Sequence, residues 1–196
     1  MAQEFYKKIY SIREFRQILF DAVGSLGTLT RARKNGLISK PFEERIMLAV
    51  TEVNGCEVCS YYHVSVALKE GMSNHEISAM LNGSDRHIPE EEGIGIMYAQ
   101  HYADQRGKPD PEIWDKVVSE YGEKKAAAIA AAIKIIMAGN IYGMALGAMG
   151  NRLKGKPVKK TTLGYELGVI FGVLVFVPLS LVKLVFQANR KQAASA

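Results

Sequence analysis

Cys56 and Cys59 are the only two cysteines of the chain, and they form a Cys-x-x-Cys pair. Such a pair can cycle between a dithiol and a disulfide, or it can bind a metal ion. Asn54-Gly55 is typical of a helix end, so a new helix is expected to start around Cys56. The unpaired N–H groups and the dipole of a helix start stabilise a thiolate. Because a thiolate attacks the oxygen of a peroxide or the sulfur of a disulfide, the pair predicts redox chemistry.

Two further side chains are candidates for moving protons at this pair. His63 follows at a spacing that places Cys56, Cys59 and His63 along one face of a helix. Imidazole is the side chain that most readily exchanges protons near neutral pH, so His63 is suited to accept the thiol proton. Glu44, on the preceding helix, can orient the imidazole or share the proton. We therefore predict Cys56, Cys59, His63 and Glu44 as catalytic residues, and we expect no cofactor.

Almost every segment that must position these residues has the pattern of a helix, and strand signals are nearly absent outside the apolar C-terminal run. Capping residues and prolines predict the helix starts, and glycines predict the ends. Five helices are expected in the first part of the chain, over about 4–24, 41–53, 56–71, 73–82 and 89–107. Asp110-Pro111 should begin a sixth helix, which Gly122 ends. The fold class is therefore predicted to be all-α.

A long Ala-rich helix is expected to follow over residues 123–153, where Gly139 or Gly143 could break it in two. The stretch 152–160 contains five cations, a glycine and a proline, which is typical of a linker. We predict three parts: a helical catalytic domain over 1–153, a basic linker over 154–162 and an apolar C-terminal helix over 163–196.

Composition and charge limit the possible partners and compartment. The chain has 48% hydrophobic residues and a net charge of +5, without a basic cluster interleaved with aromatic residues, so no nucleic-acid partner is expected. The N-terminus carries charges within its first eight residues and lacks an apolar core, which is unlike a secretory signal. Two cysteines without an export signal indicate a reducing compartment, where such a pair is catalytic or metal-binding more often than structural. A cytoplasmic location follows as an expectation.

The segment from Glu44 to His63 resembles the alkylhydroperoxidase D-like / carboxymuconolactone decarboxylase-like family. The peroxidase branch of this family has the pattern E-x11-C-x2-C-x3-H, and Glu44, Cys56, Cys59 and His63 match all four positions. The likeness is specific over residues 40–82 and generic as far as 153. The plain decarboxylase branch generally lacks the cysteine pair, so lactone decarboxylation fits poorly.

The resemblance implies an AhpD-like helical bundle that assembles into a homo-oligomer of dimers, trimers or hexamers. It also implies reduction of a peroxide substrate through a Cys56–Cys59 disulfide, with Glu44 and His63 as proton relay and a dithiol electron donor of protein or lipoyl type. By the resemblance Cys59 attacks first, whereas the helix dipole favours Cys56, so the order stays open. Val58 stands where the best-known members carry a histidine, a difference that concerns peroxide turnover and leaves the dithiol unaffected.

Rival interpretations of the same residues remain open. Cys56, Cys59, His63 and Glu44 could supply four ligands to zinc, although structural zinc sites usually draw two ligands from each of two loops. The chain would then be a redox- or zinc-responsive interaction module without peroxide turnover. Glu52 is a second candidate carboxylate near the site.

The C-terminal apolar segment suggests a membrane association. Residues 167–182 carry no charge, and apolar neighbours extend the segment to about 20 residues, the length that crosses a bilayer core. Five cations before the segment favour a cytoplasmic catalytic side, tethered to the inner face of a membrane through residues 163–187. The alternative is a core helix of an oligomer, which Pro178 and the short charge-free length keep open.

Overall fold

A computed structural model describes residues 5–84 and 86–194, with side chains as far as residue 190. The outermost residues of the predicted catalytic domain and of the predicted C-terminal helix, 1–4 and 195–196, lie outside the described residues. Within these described ranges the chain forms seven α-helices and one 3-10 turn: α1 Ile12–Lys34, α2 Lys40–Asn54, α3 Glu57–Lys69, α4 Asn74–Leu81, the turn Glu90–Glu92, α5 Gly93–Asp104, α6 Pro111–Leu153 and α7 Leu163–Ala194. The described residues include no strand, and the all-α prediction is confirmed.

The first helix differs from its prediction at both ends. It begins at Ile12 because Ser11 and Glu14 form a capping box, and it continues through two glycines to Lys34. Before it, the chain runs against the end of α2, where the Tyr6 N–H donates to the Gly55 carbonyl at 2.7 Å. These backbone bonds hold residues 5–10 outside the helix, although their apolar spacing is helical.

Local signals set the ends of α2 and α3 as predicted. Ser39 caps α2, and Gly55 ends it in the left-handed conformation with φ 73°. A Cβ at Gly55 would lie 2.8 Å from the backbone nitrogen of Lys7, so only glycine fits this crossing. The chain then turns directly into α3, whose N-cap residue is Cys56.

The central element is α6, which packs against α1, α2, α3, α5 and α7. Gly122 interrupts its helical geometry (φ 71°, ψ 159°), as predicted for the end of the sixth helix. The predicted break at Gly139 or Gly143 is wrong, because the helix is regular from there to Leu153. Gly143 faces the two cysteines instead, where a side chain would collide with both sulfurs, whereas the nearest neighbour of a Cβ at Gly139 would be Ile136 of the same helix at 3.8 Å.

The C-terminal helix α7 folds back onto the body of the protein and packs against α1 and α6. Its start is held by a buried Glu166 carboxylate, which accepts two hydrogen bonds from Arg152 at 2.8 Å. Lys160 of the preceding segment donates to the Tyr6 carbonyl at 3.1 Å. Two of the five cations predicted as linker residues thus join α6, α7 and the N-terminal segment.

Two helices of the described chain are long and apolar enough to cross a membrane. The apolar window of α6 is 72% buried in the protein, whereas that of Leu163–Arg190 in α7 is only 11% buried. Length and composition alone are weak evidence that a helix crosses a membrane, because the core helix of a soluble protein passes the same test. The two helices therefore both pass the test of length and composition but lie in different surroundings.

Candidate active site

The two cysteines lie at the N-terminus of α3 and are joined by a disulfide, with their Cα atoms 5.3 Å apart. Cys56 is the N-cap residue, and its Sγ accepts a hydrogen bond from the Cys59 N–H at 3.2 Å. Cys56 is 0% exposed and Cys59 is 8% exposed. The pair thus occupies the helix start that the sequence predicts, with one sulfur held by a backbone donor.

The opposite wall of the disulfide is the backbone of α6. A Cβ at Gly143 would lie 2.7 Å from the Cys59 Sγ and 2.8 Å from the Cys56 Sγ. One turn earlier, the Gly139 carbonyl oxygen lies 3.6 Å from the Cys59 Sγ. One turn later, a Cβ at Gly147 would lie 3.3 Å from a methyl group of Val58. The absence of a side chain at Gly143 and Gly147 thus lets the first turn of α3 approach α6 closely.

This role of Gly143 was not identified from the sequence, which indicated only close helix packing. The signal that could have found it is the four-residue spacing of Gly139, Gly143 and Gly147, which places them on one face of α6. The sequence does not say which element that face meets.

His63 and Glu44 form the second pair of the site. The Nδ1 of His63 lies 2.7 Å from Glu44 Oε2, and both side chains are largely buried, with 12% and 2% exposed. Glu44 comes from the first part of α2, whereas His63 lies on α3 one turn beyond Cys59. The predicted residues are thus arranged as two bonded pairs, and α3 contributes to both.

The second oxygen of Glu44 is bound as well. Burial raises the pKa of Glu44, but the hydrogen bonds from His63 and from Lys40, 2.6 Å away, lower it by more. The pKa of Glu44 is therefore below its ordinary value. The neighbouring Glu43 is equally buried and accepts from Arg33 at 2.7 Å and from Lys40 at 3.1 Å. Glu44 is therefore an ionised carboxylate that fixes one nitrogen of the His63 ring.

Glu52, the second candidate carboxylate, points to another partner. It forms an ion pair with Lys7 at 2.5 Å, and its side chain is 16% exposed. Since Lys7 belongs to the extended N-terminal segment, this pair ties that segment to α2. Because Glu52 is a partly buried acid on the same helix that pairs with Lys7 and not with His63, its substitution can serve as a control for the role of Glu44.

A pocket of about 660 Å³ opens beside the first two turns of α3. Its lining is largely apolar with one cation at its edge, and it consists of Phe5, Glu57, Val58, Ser60, Tyr61, Val64, Leu81, Gly147, Gly150, Asn151 and Lys154. The ring of Tyr62, which does not line the pocket, is perpendicular to the His63 ring, with the ring centroids 5.0 Å apart. The pocket can accept an organic molecule next to the turn that carries the disulfide.

The same geometry bears on metal binding. Among the described residues, no group of three or more His, Cys, Asp or Glu side chains is placed to hold a metal ion. With both sulfurs in a disulfide, the four predicted residues are divided into two pairs. This division fits redox chemistry, which a Cys pair at disulfide distance supports.

Comparison with known proteins agrees with this geometry. Residues 19–85 match the model of the Carboxymuconolactone decarboxylase family, a segment that contains all four predicted residues. No curated protein and no solved structure matches the chain. The family is helical and contains both decarboxylases and alkylhydroperoxidases. Residues 19–85 of this chain are therefore similar to the carboxymuconolactone decarboxylase family, and the spacing of Cys56 and Cys59 is consistent with its alkylhydroperoxidase D-like branch.

Proposed function

We propose that this protein is a thiol-dependent peroxidase or disulfide oxidoreductase that reduces organic hydroperoxides. Cys56 and Cys59 alternate between dithiol and disulfide, and Glu44 and His63 relay protons. The observation that carries the proposal is the combination on α3 of a Cys-x-x-Cys disulfide at its N-terminus and a buried His63–Glu44 pair two turns later. A helix start, a second thiol and a fixed imidazole are the parts that thiol peroxidation needs.

The peroxide step begins with one cysteine as a thiolate. Its sulfur attacks the terminal hydroxyl oxygen of the hydroperoxide, the O–O bond breaks, and the leaving alkoxide takes a proton and departs as an alcohol. The sulfenic acid that forms is attacked by the second thiol, which releases water and forms the disulfide. The peroxide gains two electrons, and the two sulfurs lose them.

Cys59 is the better candidate for the attacking sulfur, and Cys56 for the resolving one. Cys59 is the more exposed of the two, and His63 lies one turn further along the same face of α3. The Cys56 sulfur accepts the Cys59 N–H, which stabilises it as a thiolate leaving group when an external thiol opens the disulfide at Cys59. This order also agrees with the family resemblance.

The proton relay depends on how Glu44 holds His63. Since Nδ1 faces the ionised Glu44 carboxylate, Nε2 is the ring nitrogen that exchanges protons with thiol and alkoxide. Lys40 keeps Glu44 ionised through its second oxygen. A dithiol donor, of protein or lipoyl type, then reduces the disulfide, and the pocket beside α3 receives the organic part of the peroxide.

The cellular setting forms part of the proposal. We expect a homo-oligomer in the cytoplasm, tethered to the inner face of a membrane through residues 163–187. The family resemblance supports the oligomer, and the exposed apolar side chains of α7 support the tether.

The test is turnover of an organic hydroperoxide by the purified full chain with a small dithiol. We expect one disulfide per peroxide consumed, and none after Cys56→Ser or Cys59→Ser. With one equivalent of peroxide, Cys56→Ser should accumulate a sulfenic acid on Cys59, detected by mass spectrometry after dimedone labelling. A wild-type chain that consumes no peroxide with any dithiol would overturn the proposal in favour of an interaction module that uses the same cysteines.

The relay is tested by Glu44→Gln and His63→Gln, with Glu52→Gln as matched control. The first two should lower turnover about 10²- to 10⁴-fold, the usual contribution of a positioned acid or base. Glu52→Gln should leave turnover unchanged, because Glu52 pairs with Lys7. Equal rates for Glu44→Gln and Glu52→Gln would contradict the relay.

A further inference from the structure

The side of α7 that points away from the protein is apolar along most of its length. Its large apolar side chains are between 38% and 72% exposed, and we call them the outer face: Leu163, Leu167, Phe171, Leu174, Val175, Leu179, Leu181, Val182, Val185 and Phe186. Contiguous apolar surface of this kind marks a contact with lipid or with another protein. The outer face needs a partner that the single chain does not supply.

The opposite side of α7 is firmly packed and fixes the direction of the helix. Phe176 meets Phe15 edge-on, with ring centroids 6.3 Å apart, and Val169 is fully buried. A Cβ at Gly168 would lie 2.7 Å from Ile12, and one at Gly24 would lie 3.3 Å from Leu184. Since position 12 of α1 meets 168 and position 24 meets 184, the two helices run side by side in the same direction.

This pairing sets the orientation of α7 toward a membrane. The part of α1 that accompanies residues 168–184 carries four charged side chains, Arg13, Glu14, Arg16 and Asp21. If α7 crossed a bilayer while docked, these charges would enter the hydrocarbon beside it, where charged side chains are costly. A helix lying flat keeps them at or above the headgroups and buries only the outer face.

A basic groove between α1 and α7 supports the flat orientation. It has a volume of about 220 Å³, is flanked by Arg16 and Lys183, and has Phe20, Phe176 and Leu179 in its lining. The Lys183 Nζ lies 4.0 Å from the centre of the Phe20 ring. No acidic side chain from the described part of the chain lines the groove. Two cations next to apolar surface match a lipid phosphate with its acyl chain.

The charges around the outer face favour an anionic bilayer over a second copy of the chain. Between residues 154 and 190 there are six cations, Lys154, Lys156, Lys159, Lys160, Lys183 and Arg190. The one acid in this stretch, Glu166, is buried against Arg152. Pairing two such faces would bring cations together, whereas an anionic membrane surface complements them.

We propose that α7 binds in the plane of an anionic membrane surface, with the outer face in the acyl region and Arg16 and Lys183 at the lipid phosphates. The proposal rests on the proposed membrane tether and is independent of the peroxide chemistry. In this proposal α7 lies in the membrane interface and does not cross the bilayer. An apolar outer face flanked by cations is typical of such an interfacial helix.

Vesicle sedimentation of the full chain tests the surface. We expect binding to vesicles that contain phosphatidylglycerol and weaker binding to phosphatidylcholine alone. Arg16→Gln with Lys183→Gln should weaken binding to the anionic vesicles roughly tenfold or more. Phe171→Ser with Leu174→Ser should weaken binding to both kinds. Leu153→Ser, which changes an apolar side chain that is 81% exposed outside α7, is the control and should bind as wild type.

Depth measurements separate a flat helix from a crossing one. Leu167, Leu174 and Val185 are each replaced by Trp in a Trp114→Phe background, which leaves a single Trp per variant. Lipids brominated near the headgroup should quench all three alike. Deep quenching confined to Leu174→Trp would overturn the proposal in favour of a crossing helix. A stable dimer in vesicle-free solution without vesicle binding would overturn it in favour of a second copy. Peroxide turnover, measured separately, distinguishes either failure from a failure of the proposed enzyme.

Discussion

The α2–α3 site and the outer face of α7 differ in how their side chains suit their surroundings: the site buries charged groups, and the outer face exposes apolar ones. At the site, the side chains of Glu43 and Glu44 are 1% and 2% exposed, and the protein supplies a cationic or imidazole partner to both. On α7, ten large apolar side chains are exposed. An unpaired buried charge is costly, and each exposed apolar Å² forgoes about 25 cal/mol of burial. The buried charges of the site are thus paired within the chain, whereas the apolar side chains of the outer face are not covered by it.

The close packing at the site is tested most severely by Gly143→Ala. The new methyl group would lie within 3 Å of both sulfurs, so the dithiol must shift from its place against α6. We expect peroxide turnover to fall about 10²-fold, because displacements of about 1 Å at reacting groups have effects of this size. Steady-state turnover and the rate of disulfide formation by mass spectrometry measure it.

Gly139→Ala, one turn earlier on the same helix, is the matched control. The nearest side-chain atom to its added Cβ would be Ile136 Cδ1 at 3.8 Å. Turnover should be unchanged, and the free energy of unfolding should rise by about 0.5–1 kcal/mol from helix propensity. Equal turnover in the two variants would show that contact with α6 does not position the sulfurs.

The second prediction contrasts the two sides of α7. Phe176→Ala removes the ring that packs against Phe15 and should lower the free energy of unfolding by about 1–3 kcal/mol, less than for a fully buried Phe. Phe171→Ala, on the outer face, should change it by less than about 0.5 kcal/mol. Urea unfolding measures both. Should Phe171→Ala prove as destabilising as Phe176→Ala, the outer face would be packed in the isolated protein.

Local signals explain why the site could be predicted from the sequence. Pro41, Gly55 and the Cys-x-x-Cys spacing each act within a few residues, and they correctly give the ends of α2 and α3 around the cysteines. Lys40 lies four residues before Glu44 on the same helix, so this partner was also within reach of sequence reasoning. Turn chemistry and helix register thus determine most of what surrounds the disulfide.

Contacts between distant segments explain what could not be predicted. The first helix begins later than expected because residues 5–10 bond to the end of α2, a pairing some 50 positions away that no local pattern encodes. Gly143 meets both sulfurs only because α6 crosses α3. The docking of α7 onto α1 has the same origin, since its apolar pattern fits protein and lipid equally well.

The smallest expected effect concerns Glu14, a partly exposed acid on α1, a helix that packs against α6 and α7. Hydrogen bonds from Arg106 and Ser11 lower the pKa of Glu14 from 4.5 to about 2. A lowered folded-state pKa means that the stabilisation is present above about pH 4.5 and is lost as the pH falls toward 2. Since the side chain is 36% exposed and screened by water, Glu14→Gln should cost only about 1 kcal/mol at neutral pH.

The pH dependence of the free energy of unfolding shows whether the effect comes from the ionised Glu14 carboxylate. Glu14→Gln should flatten the loss of stability between pH 4.5 and 2, measured by urea unfolding at each pH, whereas Glu70→Gln, at an exposed position, should follow the wild type. Turnover at neutral pH should be unaffected, in contrast to Glu44→Gln, because Glu14 joins α1 to Arg106 and not to the cysteines. If the slope persists in Glu14→Gln, buried acids such as Glu44, whose pKa is also lowered, dominate acid unfolding. The α2–α3 site, whose buried acids are paired within the chain, would then also limit the stability of the protein in acid.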